Sequence, residues 1–314
     1  MLRAGKRLLL KGLKVQAGSP SRAHRSNMNV KSWLGAGLIV GAFCALSWLE
    51  RRRPLRRRMA ESKFKREVRN LSIAAVGAGA LMLMERPAIL PLAQFVEAHN
   101  WGLLKQLRLP RWLELALAVI LLDYTLYIWH YVTHRVPLLW RFHVAHHVDL
   151  DLDTSTALRF HFGELALSVP WRAAQVIVIG VSPSAYLIWQ TLVFPSILFH
   201  HSNIELPISV ERWLNRLIVT PRMHGIHHSI IEDETNSNWS SGLTVWDWLH
   251  GTLKLNVPQD QITIGVPAYR DPEEVRFIDV LALPFRKQRP SWMYPDDGQP
   301  VRDISEVTES RLLP

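Results

Sequence analysis

Four stretches of this chain run apolar for longer than a buried core helix needs, and each is bounded by charge or by a helix breaker. Trp33 to Leu49 is uncharged and ends in Glu50 and three arginines, so it reads as a membrane span. Leu71 to Met84 is uncharged but short for a hydrocarbon layer that takes about 20 helical residues to cross, so it must recruit its flanks. Trp112 to Val132 is long enough despite Glu114 near one end and Asp123 in its middle. Between Leu165 and Phe199 the one charge is Arg172, and Ser182-Pro183 divides the run into the two arms of a helical hairpin. The pattern predicts an all-α integral membrane protein.

Charge fixes an orientation. Residues 1–70 hold 18 Lys and Arg against three acids, whereas the remainder of the chain is net acidic, although the whole carries +10. Ten of those cations lie between Arg51 and Arg69, directly after the first apolar run, as the positive-inside rule requires of a cytoplasmic loop. Anionic lipid headgroups or an acidic redox partner are the other occupants such a block could serve. It abuts a hydrophobic segment and matches no nucleic-acid motif, which argues against nucleic acid. Counting onward, the second span exits, the third returns, and the hairpin brings its far end back to the cytoplasmic face. Eight cations before Trp33 then stand on the wrong side. Either that stretch is not native, with Met28 as an alternative start, or it is a transit-like segment, or the first run does not cross fully. Four regions follow: a disordered basic segment 1–30, membrane helices with their basic loop over 31–111, a core domain over 112–255, and a soluble cap over 256–314 in which Phe277 to Phe285 is a short apolar element that could lie on the membrane. The single cysteine, Cys44, excludes an intrachain disulfide and a thiolate metal site.

Histidine carries the chemistry. Twelve of 14 histidines lie between residues 130 and 250, and H-x-x-H-H occurs twice. On a helix, positions i, i+3 and i+4 share one face, so His143, His146 and His147 converge, as do His224, His227 and His228. His130 and His134 form an i, i+4 pair. Asp123 and Tyr127 fall on that same face and are expected to hydrogen-bond behind the two histidines. Eight imidazoles exceed what one zinc takes. They suit two metals with nitrogen-rich coordination, which points to iron. No Glu-x-x-His occurs, so the site is not the carboxylate-bridged kind. A non-catalytic metal carrier or transporter and a haem protein are the alternatives, and haem leaves the histidine doublets unexplained.

These residues resemble the fatty acid hydroxylase superfamily, the membrane di-iron group that includes the sterol desaturases. The resemblance runs from Asp123 to Leu253. DYTLYIWHYVTH (123–134), RFHVAHH (141–147) and RMHGIHH (222–228) stand where the family has D-x-x-x-Y-x-x-H-x-x-x-H and its two later H-x-x-H-H motifs. FHHSN (199–203) resembles the short motif that supplies one more ligand, which implies His201 rather than His200. TALRFHFGE (156–164) resembles a bacterial segment that makes His161 a ligand or, with Glu164, a residue supporting the ligands. NWSS (238–241) and WDWLHGT (246–252) depart from N-Y-G-N and W-D-x-x-F-G-T, which leaves the role of Asn238 open and makes His250 structural. The resemblance implies two irons and O2-dependent hydroxylation or desaturation of a lipid (sterol, fatty acyl or alkyl), and the Arg-rich flanks of the first apolar run point to a bacterial inner membrane, with an organellar membrane as the alternative. No G-x-G-x-x-G occurs, so electrons are expected from a separate cytochrome, ferredoxin or reductase.

Overall fold

The computed structural model describes residues 22–57 and 60–302, with side chains from residue 37 onward. Of the segment 1–30 expected to be disordered, 1–21 lies outside the described residues, whereas 22–30 is helical and begins the first helix. Two compact units divide the chain, Met1–Val40 and Gly41–Pro314. The chemistry lies in the second. The described residues are helical, with three isolated antiparallel bridges in place of a sheet.

α1 runs Arg22–Arg52. α2 (Lys63–Ala80) continues through a π turn, Leu81–Glu85, into α3 (Arg86–His99), so the short second run does recruit both flanks into one long helical stretch. A single turn, α4 (Leu103–Gln106), leads to α5 (Arg111–Arg135) and, after Val136, to α6 (Pro137–His147). The hairpin is α7 (Phe162–Gln175), extended by a π turn over Val176–Gly180, and α8 (Pro183–His201). Ser182 caps α8 by accepting from the Ala185 N–H, so the break falls at Ser182-Pro183. Gly180 and Gly102 both have positive φ, and a Cβ on Gly102 would strike the Gly180 backbone. Glycine at both positions is what lets α4 lie against the hairpin turn. The shorter α9 (Ile208–Leu214), α10 (Pro221–His227), α11 (Glu232–Thr235), α12 (Val245–Leu249) and α13 (Phe277–Ala282) follow.

Among the described residues three stretches are long and apolar enough to cross a membrane, Lys63–Gln106, Arg111–Arg135 and Phe162–Gly180. They bury 22–28% of their apolar windows, so most of that surface faces outward, as lipid solvation demands. Inside, α3, α5, the end of α7 and α8 share a core around Leu122, Val176, Ala185 and Trp189. The buried acid Glu85 is tied down: it accepts from the Tyr186 hydroxyl (2.6 Å) and pairs with Arg172 (3.3 Å). Phe160 before α7 and His201 at the end of α8 both pack on His146, so the hairpin leaves and returns to the end of the bundle that carries the histidines. A second core joins α6 to the C-terminal segment through Val144, Val148, Val266 and Val280. In the apolar element after Phe277, Val280 and Leu283 pack inward while Ile278 and Phe285 are exposed.

A buried ionic knot locks α2 to the segment after α6. Asp149 pairs with Arg66 (3.0 Å) and accepts from Asn70 (2.8 Å) and Thr156 (2.8 Å). Arg159 donates to Asn70 (2.7 Å) and to the Ala145 carbonyl of α6 (2.8 Å). Arg66 and Arg159, with Arg69, hold the Asp149 carboxyl down at about 2 against the desolvation that would raise it. Removing one partner from such a knot strands the rest in low dielectric. Asp149→Ala is therefore expected to cost roughly 3–5 kcal/mol of stability, read from unfolding in detergent micelles. A loss under about 1 kcal/mol would show that the knot is not holding the helices.

Candidate metal centre

Nine imidazoles meet at one end of the bundle, and they sort into two groups. His130, His134, His143, His147 and His227 form the first, and His146, His201, His224 and His228 the second, with one ring nitrogen from each member lying within 4.8 Å of those of its group. The helices explain the partition. In α6 the i and i+4 residues, His143 and His147, join the first group, while His146 at i+3 joins the second. In α10 the arrangement reverses: His224 and His228 enter the second group and His227 the first. Positions i and i+4 differ by about 40° around a helix, whereas i+3 and i+4 differ by about 100°, so one H-x-x-H-H reaches two neighbouring centres. The groups abut, since the rings of His147 and His228 stack at 4.4 Å and those of His224 and His227 at 5.0 Å.

Main-chain oxygens and one carboxylate set the ring orientations. His130 Nδ1 donates to the Trp239 carbonyl, His227 Nδ1 to the Ser237 carbonyl and His201 Nδ1 to the Ile197 carbonyl, each at 2.8 Å. His143 Nδ1 donates to Glu164 Oε1, also at 2.8 Å. A ring that spends its Nδ1–H outward presents the Nε2 lone pair inward, the tautomer a metal needs. In the second group Nε2 atoms approach to 3.1 Å (His146–His201), 3.0 Å (His201–His224) and 3.1 Å (His224–His228). Nitrogens at right angles about one ion, each about 2.1 Å from it, stand about 3.0 Å apart.

Burial supplies the fit test. His146, His147, His224, His227 and His228 are at most 1% exposed, and burial, reinforced by the neighbouring rings, pushes each imidazole well below its ordinary pKa. Burial thus favours the neutral form, the one whose lone pair can bind a metal. Yet both nitrogens of His134 and of His147, and Nε2 of His143 and His227, have no hydrogen-bond partner. Buried polar atoms left unpaired cost about 1–3 kcal/mol each, so converging lone pairs in this number fit cations rather than a packed polar core.

Several expected residues do other work. Asp123 does not reach His130 or His134; its Oδ2 accepts from the Leu243 N–H (3.0 Å) and the Trp246 indole (2.7 Å). Tyr127 bonds to the Thr252 hydroxyl at 3.1 Å instead of to a histidine. Both tie α5 to the 243–252 segment, because the Trp239 carbonyl already occupies the place behind His130. His161 is neither ligand nor support: its Nδ1 accepts from the Gly163 N–H, capping α7, and its Nε2 meets the Leu281 carbonyl at 3.1 Å. Glu164, three residues on, is the group that reaches the centre. His200 is buried but belongs to neither group, and His250 lies at 3.1 Å from the Tyr124 hydroxyl.

Asn238 has the most specific geometry. Its φ is +53°, a region that asparagine tolerates better than most residues. Its side chain is held by the Met223 and Lys254 carbonyls (2.9 and 2.7 Å) and by the Lys254 N–H (2.8 Å). The reversal it makes turns the carbonyls on either side of it, Ser237 and Trp239, toward His227 and His130. Asp247, which the motif analysis did not single out, accepts from the N–H groups of Trp239 (2.8 Å) and Ser240 (3.0 Å) and steadies the same loop. The Trp239 ring is fully buried 4.5 Å from that of His134, and Trp140, bonded to Ser291, covers His134 from the other side at 4.7 Å.

Comparison with known proteins finds similarity over the region that carries the histidines. The family model described as fatty acid hydroxylase matches residues 115–252. An ornithine lipid hydroxylase (OlsE) of Rhizobium tropici is 29% identical over 181 residues, 57% of this chain and 52% of its own length. A cholesterol 25-hydroxylase-like protein of Danio rerio is 29% identical over 144 residues (45% and 55%), and the alkylglycerol monooxygenase of Homo sapiens 25% over 139 residues (42% and 28%). The matched region thus spans about half the length of the first two relatives, 52% and 55%, and less of the third. No solved structure matches. The histidine motifs all lie within or beside the matched region, so what this chain shares with the fatty acid hydroxylase family model is the part that carries the two imidazole groups.

Proposed function

We propose that this protein is a membrane-bound di-iron oxygenase that hydroxylates or desaturates a lipid, with electrons from an external donor. The observation that carries the reading is the pair of abutting, largely buried imidazole groups at the end of a bundle whose outer surface is apolar. His130, His134, His143, His147 and His227 would hold one iron, and His146, His201, His224 and His228 the other. Iron so bound supplies the activation of O2 needed to attack an unactivated C–H bond.

The chain's own residues do the rest. Glu164 and the carbonyls of Ser237, Trp239 and Ile197 hold the imidazole tautomers, and Asn238 and Asp247 hold the loop that carries two of those carbonyls. Trp140, Trp239 and Phe160 wall the histidines with aromatic rings and exclude water. The relatives named for ornithine lipid, cholesterol and alkylglycerol chemistry support a lipid as substrate. The basic loop 51–69 supports a cytoplasmic placement of the site in a bacterial inner membrane, within reach of a cytochrome, ferredoxin or reductase. Burial of eight of the nine candidate ligands disfavours a carrier, which must release its ion.

Three variants test the assignment on anaerobically purified protein. Wild type is expected to hold about two irons per chain, and His146→Ala or His227→Ala about one or fewer; two irons retained in both variants would contradict the ligand set. Asn238→Ala is expected to weaken iron retention against a chelator roughly 10–100-fold while the far-UV spectrum stays helical. Unchanged retention would mean the loop does not orient His130 and His227. Iron-loaded protein with reductant and donor is expected to consume O2 on addition of an aminolipid, sterol or alkyl lipid, and silence with all three would count against oxygenase activity.

A further inference from the structure

A second site lies outside the histidine centre. At the ends of α1 and α2 a cleft of about 540 Å³ is walled by these helix ends, by Arg56 and Arg57 between them, and by the stretches 150–153 and 262–264. That volume suits a small polar group. Six Lys and Arg line it (51, 56, 57, 63, 66 and 270) against three acids, Glu50, Asp151 and Asp153.

The acids are already engaged. Glu50 takes Lys63 on one oxygen (2.9 Å) and Thr154 and the Asn203 N–H on the other (2.9 and 3.1 Å). Asp153 binds Arg66 and the Ser155 hydroxyl (2.7 Å), and Asp151 accepts from the Ala60 N–H (3.0 Å). The cations are not all engaged. Arg57 is exposed and has no partner among the described residues. Arg56 is 7% exposed; it spends Nη1 on Gln259 Oε1 (2.6 Å), while Nε and Nη2 have no partner. A buried guanidinium with two unmet N–H groups is costly, and a fork of that shape is what an oxyanion satisfies in bidentate fashion.

The surroundings say where the oxyanion comes from. Trp48, Leu49, Phe64 and Val68, on the same ends of α1 and α2, are 56%, 38%, 74% and 48% exposed, and Arg52 lies over the Trp48 ring at 5.4 Å. Exposed aromatic and aliphatic side chains beside arginines mark the level where acyl chains give way to headgroups. We propose that this cleft binds the anionic headgroup, phosphate or carboxylate, of a membrane lipid. Arg56 would grip the anion and Arg57 close over it. The cleft also shares a wall with the metal centre: Arg56 packs so closely on Gly225 of α10 that a Cβ there would strike its guanidinium, and the Gly265 N–H donates to the His228 carbonyl (3.1 Å).

Full-length protein in a neutral detergent, titrated with dihexanoyl phosphatidic acid, dihexanoyl phosphatidylcholine or inorganic phosphate, tests this by native mass spectrometry and tryptophan fluorescence. Phosphatidic acid is expected to bind at least about tenfold more tightly than either of the others. Arg57→Gln, on an exposed side chain, and Arg56→Lys, which keeps the charge and loses the fork, are each expected to weaken it by about tenfold, with Lys287→Gln unchanged as the control for net charge. Equal binding of phosphatidylcholine, wild-type affinity in both arginine variants, or an equal loss in Lys287→Gln would overturn the site. Inorganic phosphate binding as tightly as phosphatidic acid would overturn the lipid assignment. None of these readouts depends on iron or O2, so their failure is separable from failure of the oxygenase reading.

Discussion

Unpaired lone pairs on buried imidazoles are the constraint on which this structure turns. The histidine cluster is closed off from the surface, protonation is suppressed by burial, and the rings of His134 and His147 have nothing in the protein to bond to. Left so, the cluster would be among the most destabilising features a chain of this size could carry. A pair of cations would reverse the sign of that contribution, because the same nitrogens would become ligands. Folding of this end of the bundle and metal binding are on this view one process.

The rest of the architecture serves that cluster. α5 brings His130 and His134 to the end of a span, α6 turns back immediately through Val136, and the α7–α8 hairpin departs next to His146 and returns to it. The Asp149 knot fixes the end of α6 against α2, and the C-terminal segment, through Trp140 and Ser291, covers the cluster on its outer side. Hydrophobic matching to lipid orients the spans, but polar contacts at one end set their register. The anion cleft extends the same logic outward, since Arg56 packs on the helix that carries His224, His227 and His228.

Much of this was legible in the chain itself. Three of the apolar runs fall in stretches long enough to span a membrane, Ser182-Pro183 marked the hairpin break, and helical spacing within each H-x-x-H-H indicated that distant histidines would converge. The split of each motif between two groups was implicit in the angle between i+3 and i+4. What sequence could not show were interactions made by main-chain atoms. The carbonyls of Ser237, Trp239 and Ile197 have no residue signature, and Asp123 and Tyr127 looked like supports for His130 because they share its helix face. Which loop packs on that face decided otherwise. His161 misled for a related reason: its neighbours in the motif mark a helix start near the metal, and at a helix start an imidazole can serve as a cap. The αL conformation of Asn238 had one clue, the residue type itself, and no pattern of side-chain spacing would have connected it to two ligands.

X-ray absorption and Mössbauer spectroscopy of anaerobically purified, full-length protein measure the central claim most directly. The account calls for about two irons per chain in coordination dominated by imidazole nitrogen at about 2.1 Å, with no sulfur and no haem. A single metal per chain, a haem signature, or a shell made chiefly of carboxylate oxygen would contradict it.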